Sequence, residues 1–146
     1  MDNTDWTIKT KPYDLRLRLF RFACLITRLA QFLQTRGPIA RVFSEQLLRS
    51  GTSAGANYEE ADDGSSQRDR DSKRKIVLRE LKETSFRLRV MRQTEILTAV
   101  HDPVIVECAE LVKIVATLVR KSRPQQAKPT GVPLSSCQSD SVEPAR

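Results

Sequence analysis

The residues whose types and spacing could do chemistry are three glutamates, Glu60, Glu80 and Glu83, and two serines, Ser50 and Ser53, on two neighbouring stretches with helical spacing. Carboxylates that converge inside a helical bundle suit a di-iron centre, which also draws a Glu-x-x-His pair from each of two helices. Glu80-x-x-Glu83 has a second glutamate where the histidine belongs, and His101, the one histidine of the chain, falls between helical segments. A serine nucleophile needs an adjacent base of suitable type, and only the glutamates are at hand. Three cysteines, Cys24, Cys108 and Cys137, are odd in number and share no spacing, so they form neither a disulfide framework nor a metal motif. The residues therefore predict no catalytic centre, no metal and no cofactor. Ser50, Ser53, Asn57, Glu60, Glu80 and Glu83 read instead as a buried or half-buried polar network. Such a network fixes helix register more than it adds stability, because buried polar groups are costly unless hydrogen-bonded.

The elements that must position these residues follow from composition and period. Hydrophobic residues make up 39% of the 146, aromatics only 5%, and there are 5 glycines, a balance that favours helix packing over a β-sandwich. Leu15, Leu19, Phe22, Ile26, Leu29 and Leu33 are spaced 4, 3, 4, 3, 4, the seam of a bundle helix. Gly37-Pro38 ends that helix and starts a second, with Phe43, Leu47, Ser50, Ala54, Asn57 and Ala61 on its seam and a stop at Asp62-Asp63-Gly64. Within it, Gly51 and Gly55 lie one turn apart, a cost of about 1 kcal/mol each that is tolerable where two backbones approach closely. Ser66 caps a third helix with seam Val77, Leu81, Thr84, Leu88 and Met91 and a stop near Thr98 to His101. Asp102-Pro103 opens a fourth, with Ile105, Cys108, Val112, Val115 and Val119 on its seam.

Four helices with short connections predict an all-α, antiparallel up-down four-helix bundle over residues 13–123. A short arm, residues 1–12, precedes it, and a Pro/Ser-rich tail, residues 124–146, reads as disordered. From Val104 to Val119, 12 of 16 residues are apolar, more than one bundle face needs, which predicts self-association. No stretch approaches the roughly 20 apolar residues of a membrane span, and the N-terminus starts acidic without an apolar core. The expected location is the cytoplasm, with no membrane partner.

The net charge of +7 is unevenly placed. Helix one carries Arg16, Arg18, Arg21, Arg28 and Arg36 against Asp14, and residues 73–95 carry eight basic against three acidic groups, whereas residues 38–64 are net −3. Lys75, Lys82 and Arg89 recur every seven residues along helix three, with Arg79 beside them and Arg92 continuing the stripe. Arg16, Arg18, Arg21 and Arg28 form a second basic set on helix one. Few aromatics accompany these faces, so any binding should be to phosphates, salt-sensitive and weakly sequence-selective.

The run QLLRSGTSAGANYEEA followed by KIVLRELKETSFRL resembles small bacterial four-helix bundle proteins first noted as reading frames within intervening sequences of large-subunit rRNA genes. Their hallmark positions are here Arg49, Ser50, Ser53, Asn57, Glu60, Lys75, Ile76, Glu80, Glu83 and Thr84. Two positions depart from the pattern: Ala61 replaces a frequent glycine, and Arg87 a frequent aromatic. The resemblance implies a homopentameric ring of bundles, and it extends to the accessory variability protein of diversity-generating retroelements, a basic pentamer that binds its reverse transcriptase and template RNA. The function expected is thus a non-enzymatic, homo-oligomeric scaffold that binds nucleic acid, RNA favoured, in company with a reverse transcriptase. The alternative is a protein–protein assembly module without nucleic-acid binding.

Overall fold

A computed structural model describes residues 5–6 and 13–122. The expected arm and tail, apart from Asp5 and Trp6, lie outside the described residues, as does Cys137. The described chain is all-α: α1 (Leu15–Gln34), α2 (Pro38–Asp62), α3 (Gln67–Gln93), a 3-10 turn (Ala99–His101) and α4 (Asp102–Lys121). No strand occurs among the described residues.

Local chemistry sets the helix ends. The Asp14 carboxylate accepts the Arg16 N–H at 2.9 Å and opens α1, and the Ser66 hydroxyl accepts the Asp69 N–H at 3.1 Å to open α3. Gly37 turns the chain at φ 105°, a left-handed conformation that costs glycine little, and Pro38 follows as the first residue of α2. The third helix stops earlier than its period suggests, at Gln93. Glu95 adopts φ 60° and the Leu97 N–H donates to the Met91 carbonyl at 3.0 Å, which folds buried Leu97 under the helix end. Thr98 and His101 then cap the short 3-10 turn reciprocally, and α4 begins directly from it.

Each helix buries most of its seam, although Leu15 of α1 and Phe43 and Asn57 of α2, expected on it, are only half-buried. Leu19, Phe22, Ile26, Leu29 and Leu33 of α1 face Leu47 and Ala54 of α2, Val77, Leu81, Leu88 and Met91 of α3, and Cys108 and Val115 of α4 in one core. A fully buried side chain of this size contributes about 1.5–3 kcal/mol. In α4 the buried line is Val104, Cys108, Leu111, Val115 and Val119, so Ile105 and Val112, expected on the seam, are only half-buried. A helix apolar nearly all round leaves its inward face undecided by period alone. Between Val104 and Val119 only Val106 and Lys113 are exposed, so the bundle itself covers most of the apolar excess.

The register of α1 on α2 is tight. An added Cβ on Gly51 would lie 2.6 Å from Ile26 Cγ2, whereas one on Gly55 would meet its nearest atom, the Leu19 carbonyl oxygen, at 3.6 Å. Buried Ser44 donates to the Ala30 carbonyl at 2.8 Å and accepts from Gln34 at 3.0 Å. At one end of the bundle Trp6 is buried, its ring 5.3 Å from His101 and 6.2 Å from Phe32, centroid to centroid. Arg36 lies over the other portion of this cluster, 4.2 Å from the Phe32 centroid.

Candidate nucleic-acid interface

The third helix turns its polar side outward as a single row. Lys75, Arg79, Lys82, Phe86, Arg89 and Gln93 are spaced 4, 3, 4, 3, 4 and all are exposed, opposite the buried line from Val77 to Met91. The row runs the length of the helix because residues three and four apart share a face. Among the described residues, Lys75, Lys82 and Arg89 have no acidic partner, and Arg79 has only a neighbouring contact, 3.4 Å to Glu80. Arg92 lies off the row and is engaged: its Nε donates to Asp102 Oδ1 at 2.8 Å. Cations held on one face without counter-ions can neutralise a line of phosphates.

Helix one divides. Arg28 is exposed without an acidic partner among the described residues, Arg21 is exposed, and Arg16 lies 3.7 Å from Glu59. Arg18 leaves the surface stripe altogether. Its side chain is 11% exposed, and it donates from Nε and Nη2 to the two oxygens of Glu107, at 2.6 and 2.8 Å, and to Glu110 at 2.7 Å. Glu107 is 2% exposed, so Arg18 ties α1 to α4 rather than facing a ligand. The neighbouring carboxylates raise the Arg18 pKa above its ordinary value, and the hydrogen bond to Glu107 is the largest cause. Since α1 packs on α2 and α4, and α3 packs on the same two helices, α1 and α3 are diagonal. Their basic faces therefore look outward on opposite sides of the bundle and do not merge within one chain.

The expected polar network exists only in pieces. Thr84 Oγ1 donates to Ser50 Oγ at 2.8 Å in the core and tethers α3 to α2. Asn57 turns back on its own helix, donating to the carbonyl and hydroxyl oxygens of Ser53. Glu60 pairs with Lys73, Glu80 with Arg79 and Glu83 with Arg87, each on its own cation. Arg49 is exposed and outside these pairs. The pieces stay separate because the carboxylates lie on the flank of the seam, within reach of basic side chains. Among the described residues, no three of His, Cys, Asp and Glu converge on a point that a metal could occupy. Cys108 is a core residue: burial pushes its thiol up to about 12, and it lies 3.6 Å from the Leu81 carbonyl. No helix among the described residues is long and apolar enough to cross a membrane.

Comparison with solved structures adds one firm point. The chain is similar to the crystal structure of a protein of unknown function from the S23 ribosomal protein family of Bacteroides thetaiotaomicron, at 31% sequence identity and a TM-score of 0.68. The match covers 73% of this chain and 99% of that one. The chain belongs to the S23 ribosomal protein family. No family model and no curated protein matches the sequence. The S23 family likeness agrees with the four-helix architecture.

One feature escaped sequence reasoning. Phe86 is 59% exposed in the middle of the cationic row. Its position four residues after Lys82 and three before Arg89 was the available signal.

Proposed function

We propose that this S23 family member is a non-enzymatic, homo-oligomeric scaffold that binds nucleic acid, RNA in preference to DNA, through basic helix faces. The observation that carries the reading is the row of Lys75, Arg79, Lys82 and Arg89 on the outer face of α3, three of them without an acidic partner among the described residues. Arg16, Arg21 and Arg28 add a second, weaker set on the opposite side, and in a closed assembly each set is multiplied, which raises the potential felt by a polyanion. Pairings that descend along one helix as they ascend along the next, such as Ile26–Gly51 with Leu19–Gly55 and Lys73–Glu60 with Thr84–Ser50, support the antiparallel up-down order.

Self-association draws support from Leu17 and Phe20, exposed apolar residues three apart in the first turns of α1, and from Tyr13, exposed just before the helix. The resemblance noted above suggests that the assembly is a pentameric ring, and that the role is accessory to a reverse transcriptase of a diversity-generating retroelement, acting in the cytoplasm. The basic row supports the part of that role that concerns template RNA. Binding of a structured RNA to the wild type and to a Lys75→Glu/Lys82→Glu/Arg89→Glu variant tests the reading. The variant is expected to lose binding while its helical circular dichroism stays unchanged. Equal affinity would overturn it and favour an assembly module whose basic faces meet an acidic protein.

A further inference from the structure

We infer that Phe86 is a stacking platform for an unpaired nucleobase, which makes the outer face of α3 a reader of single-stranded rather than duplex nucleic acid. The inference rests on the nucleic-acid reading above and adds to it the form of the ligand.

Four observations support it. First, Phe86 is 59% exposed on a row whose other members are all polar or charged, so it is not one residue of an apolar stripe along α3. Second, Lys82 and Arg89, one turn to either side of it, are cations without an acidic partner among the described residues. They lie seven residues apart, about 10.5 Å along the helix axis. A strand laid along the row can therefore place phosphates on both cations and a base between them on the ring.

Third, the ring stands between two grooves. One, of about 430 Å³, runs toward α2 and is lined by Phe43 and Gln46; the other, of about 870 Å³, runs toward α4 and is lined by Val90, Ile105 and Val106. The first offers a second aromatic and a side-chain amide that can hydrogen-bond a base edge, the usual equipment for holding an unstacked base. Fourth, the carboxylates bordering the ring are largely neutralised: Glu83 pairs with Arg87 and Asp102 with Arg92, leaving Glu95 at the far rim.

A duplex cannot use such a ring, because its base faces are already stacked on one another, whereas a single strand presents a π-face at every residue. A second copy of this chain is the rival occupant. A two-fold contact through this face would bring Lys82 and Arg89 against their own kind, and in a ring, where different faces meet, the apolar residues at the start of α1 offer an uncharged contact instead.

The test compares a short unstructured RNA with a duplex of the same sequence, bound to the wild type, Phe86→Ala and Phe86→Trp. Phe86→Ala is expected to weaken single-strand binding about five- to hundredfold, the range that removal of a stacked ring covers. The salt dependence should stay as in the wild type, because no charge is removed. Duplex binding should be unmoved, and Phe86→Trp should bind the single strand at least as well as the wild type. Single-strand binding that depends on salt but not on residue 86 would overturn this inference and leave the parent reading standing. Failure of the wild type to bind either nucleic acid at low salt would sink both. A change of oligomeric mass in Phe86→Ala would assign the ring to a subunit contact and would also overturn it.

Discussion

The two glycines of α2 make opposite predictions from nearly the same sequence context. Gly51 and Gly55 both sit in the helix interior and are both buried, so replacement by alanine relieves the same propensity cost at each, about 1 kcal/mol. What differs is the room. At Gly51 the new methyl would lie 2.6 Å from Ile26 Cγ2 and 3.1 Å from both Cβ and Cγ1. Ile26 is fully buried, and a β-branched side chain in a helix has one strongly preferred rotamer, so it cannot swing aside. Overpacking of this kind costs about 1–3 kcal/mol, and a clash with three atoms of a locked side chain belongs in the upper half of that range. At Gly55 the nearest atoms are 3.6 to 3.9 Å away, ordinary van der Waals contact. Gly51→Ala should therefore lose about 1–2 kcal/mol net and Gly55→Ala gain up to about 1 kcal/mol. The difference between the variants, about 2–3 kcal/mol, is the cleaner quantity, because the shared propensity contribution cancels. Urea unfolding followed by circular dichroism reads it as a separation of midpoints at common slope. Equal stabilities, or a Gly51→Ala more stable than Gly55→Ala, would refute the close approach of α2 to α1 at Ile26.

Other consequences concern the two polar sites that hold the bundle ends. Arg18→Met removes a bidentate partner from Glu107, which is 2% exposed, and should cost about 3–5 kcal/mol, whereas Arg18→Met/Glu107→Leu should recover most of it. A loss below about 1 kcal/mol in equilibrium unfolding, the scale of a surface pair, would mean that the ion pair does not tie α1 to α4. His101 is held below its ordinary value of 6.5, by burial first and then by the positive field of Arg36 and Arg92. Below 6.5 the unfolded chain therefore takes up a proton that the folded chain refuses, and stability should fall as pH drops from 6.5 toward the folded value. His101→Phe should flatten unfolding midpoints measured between about pH 7.5 and 5.5, above the ordinary carboxylate range; an unchanged slope would contradict the buried neutral imidazole.

Much of the fold was legible because each seam repeats at 4 and 3 over five or six residues, and a core helix has no other way to satisfy such a pattern. The start of α3 was legible from Ser66 and Asp69, whose roles are local. The end of α3 was not, since it depends on Glu95 taking a left-handed conformation so that Leu97 can be buried, a tertiary demand no local residue announces. In α4 the period was diluted by valines on every side, and the buried face was decided by what packs against it. Arg18 resembled its surface neighbours in sequence because its partners, Glu107 and Glu110, lie about ninety residues away. Ser50 was recognisable as a core polar group, but its partner is Thr84 rather than the glutamates. The row on α3 was half legible: the heptad spacing of Lys75, Lys82 and Arg89 marked the cations, and Phe86 was overlooked because a lone aromatic in a helix ordinarily turns inward.

The outer face of α3 is proposed to meet a polyanion. The most direct measurement is the affinity of the wild type for RNA across a salt series, alongside the Lys75→Glu/Lys82→Glu/Arg89→Glu variant at low salt. Tight binding at low salt is expected to fall steeply and linearly in log–log form, with each phosphate-contacting cation contributing about one unit of slope. Binding that is absent at low salt, or present but indifferent to salt and to loss of these three cations, would contradict it.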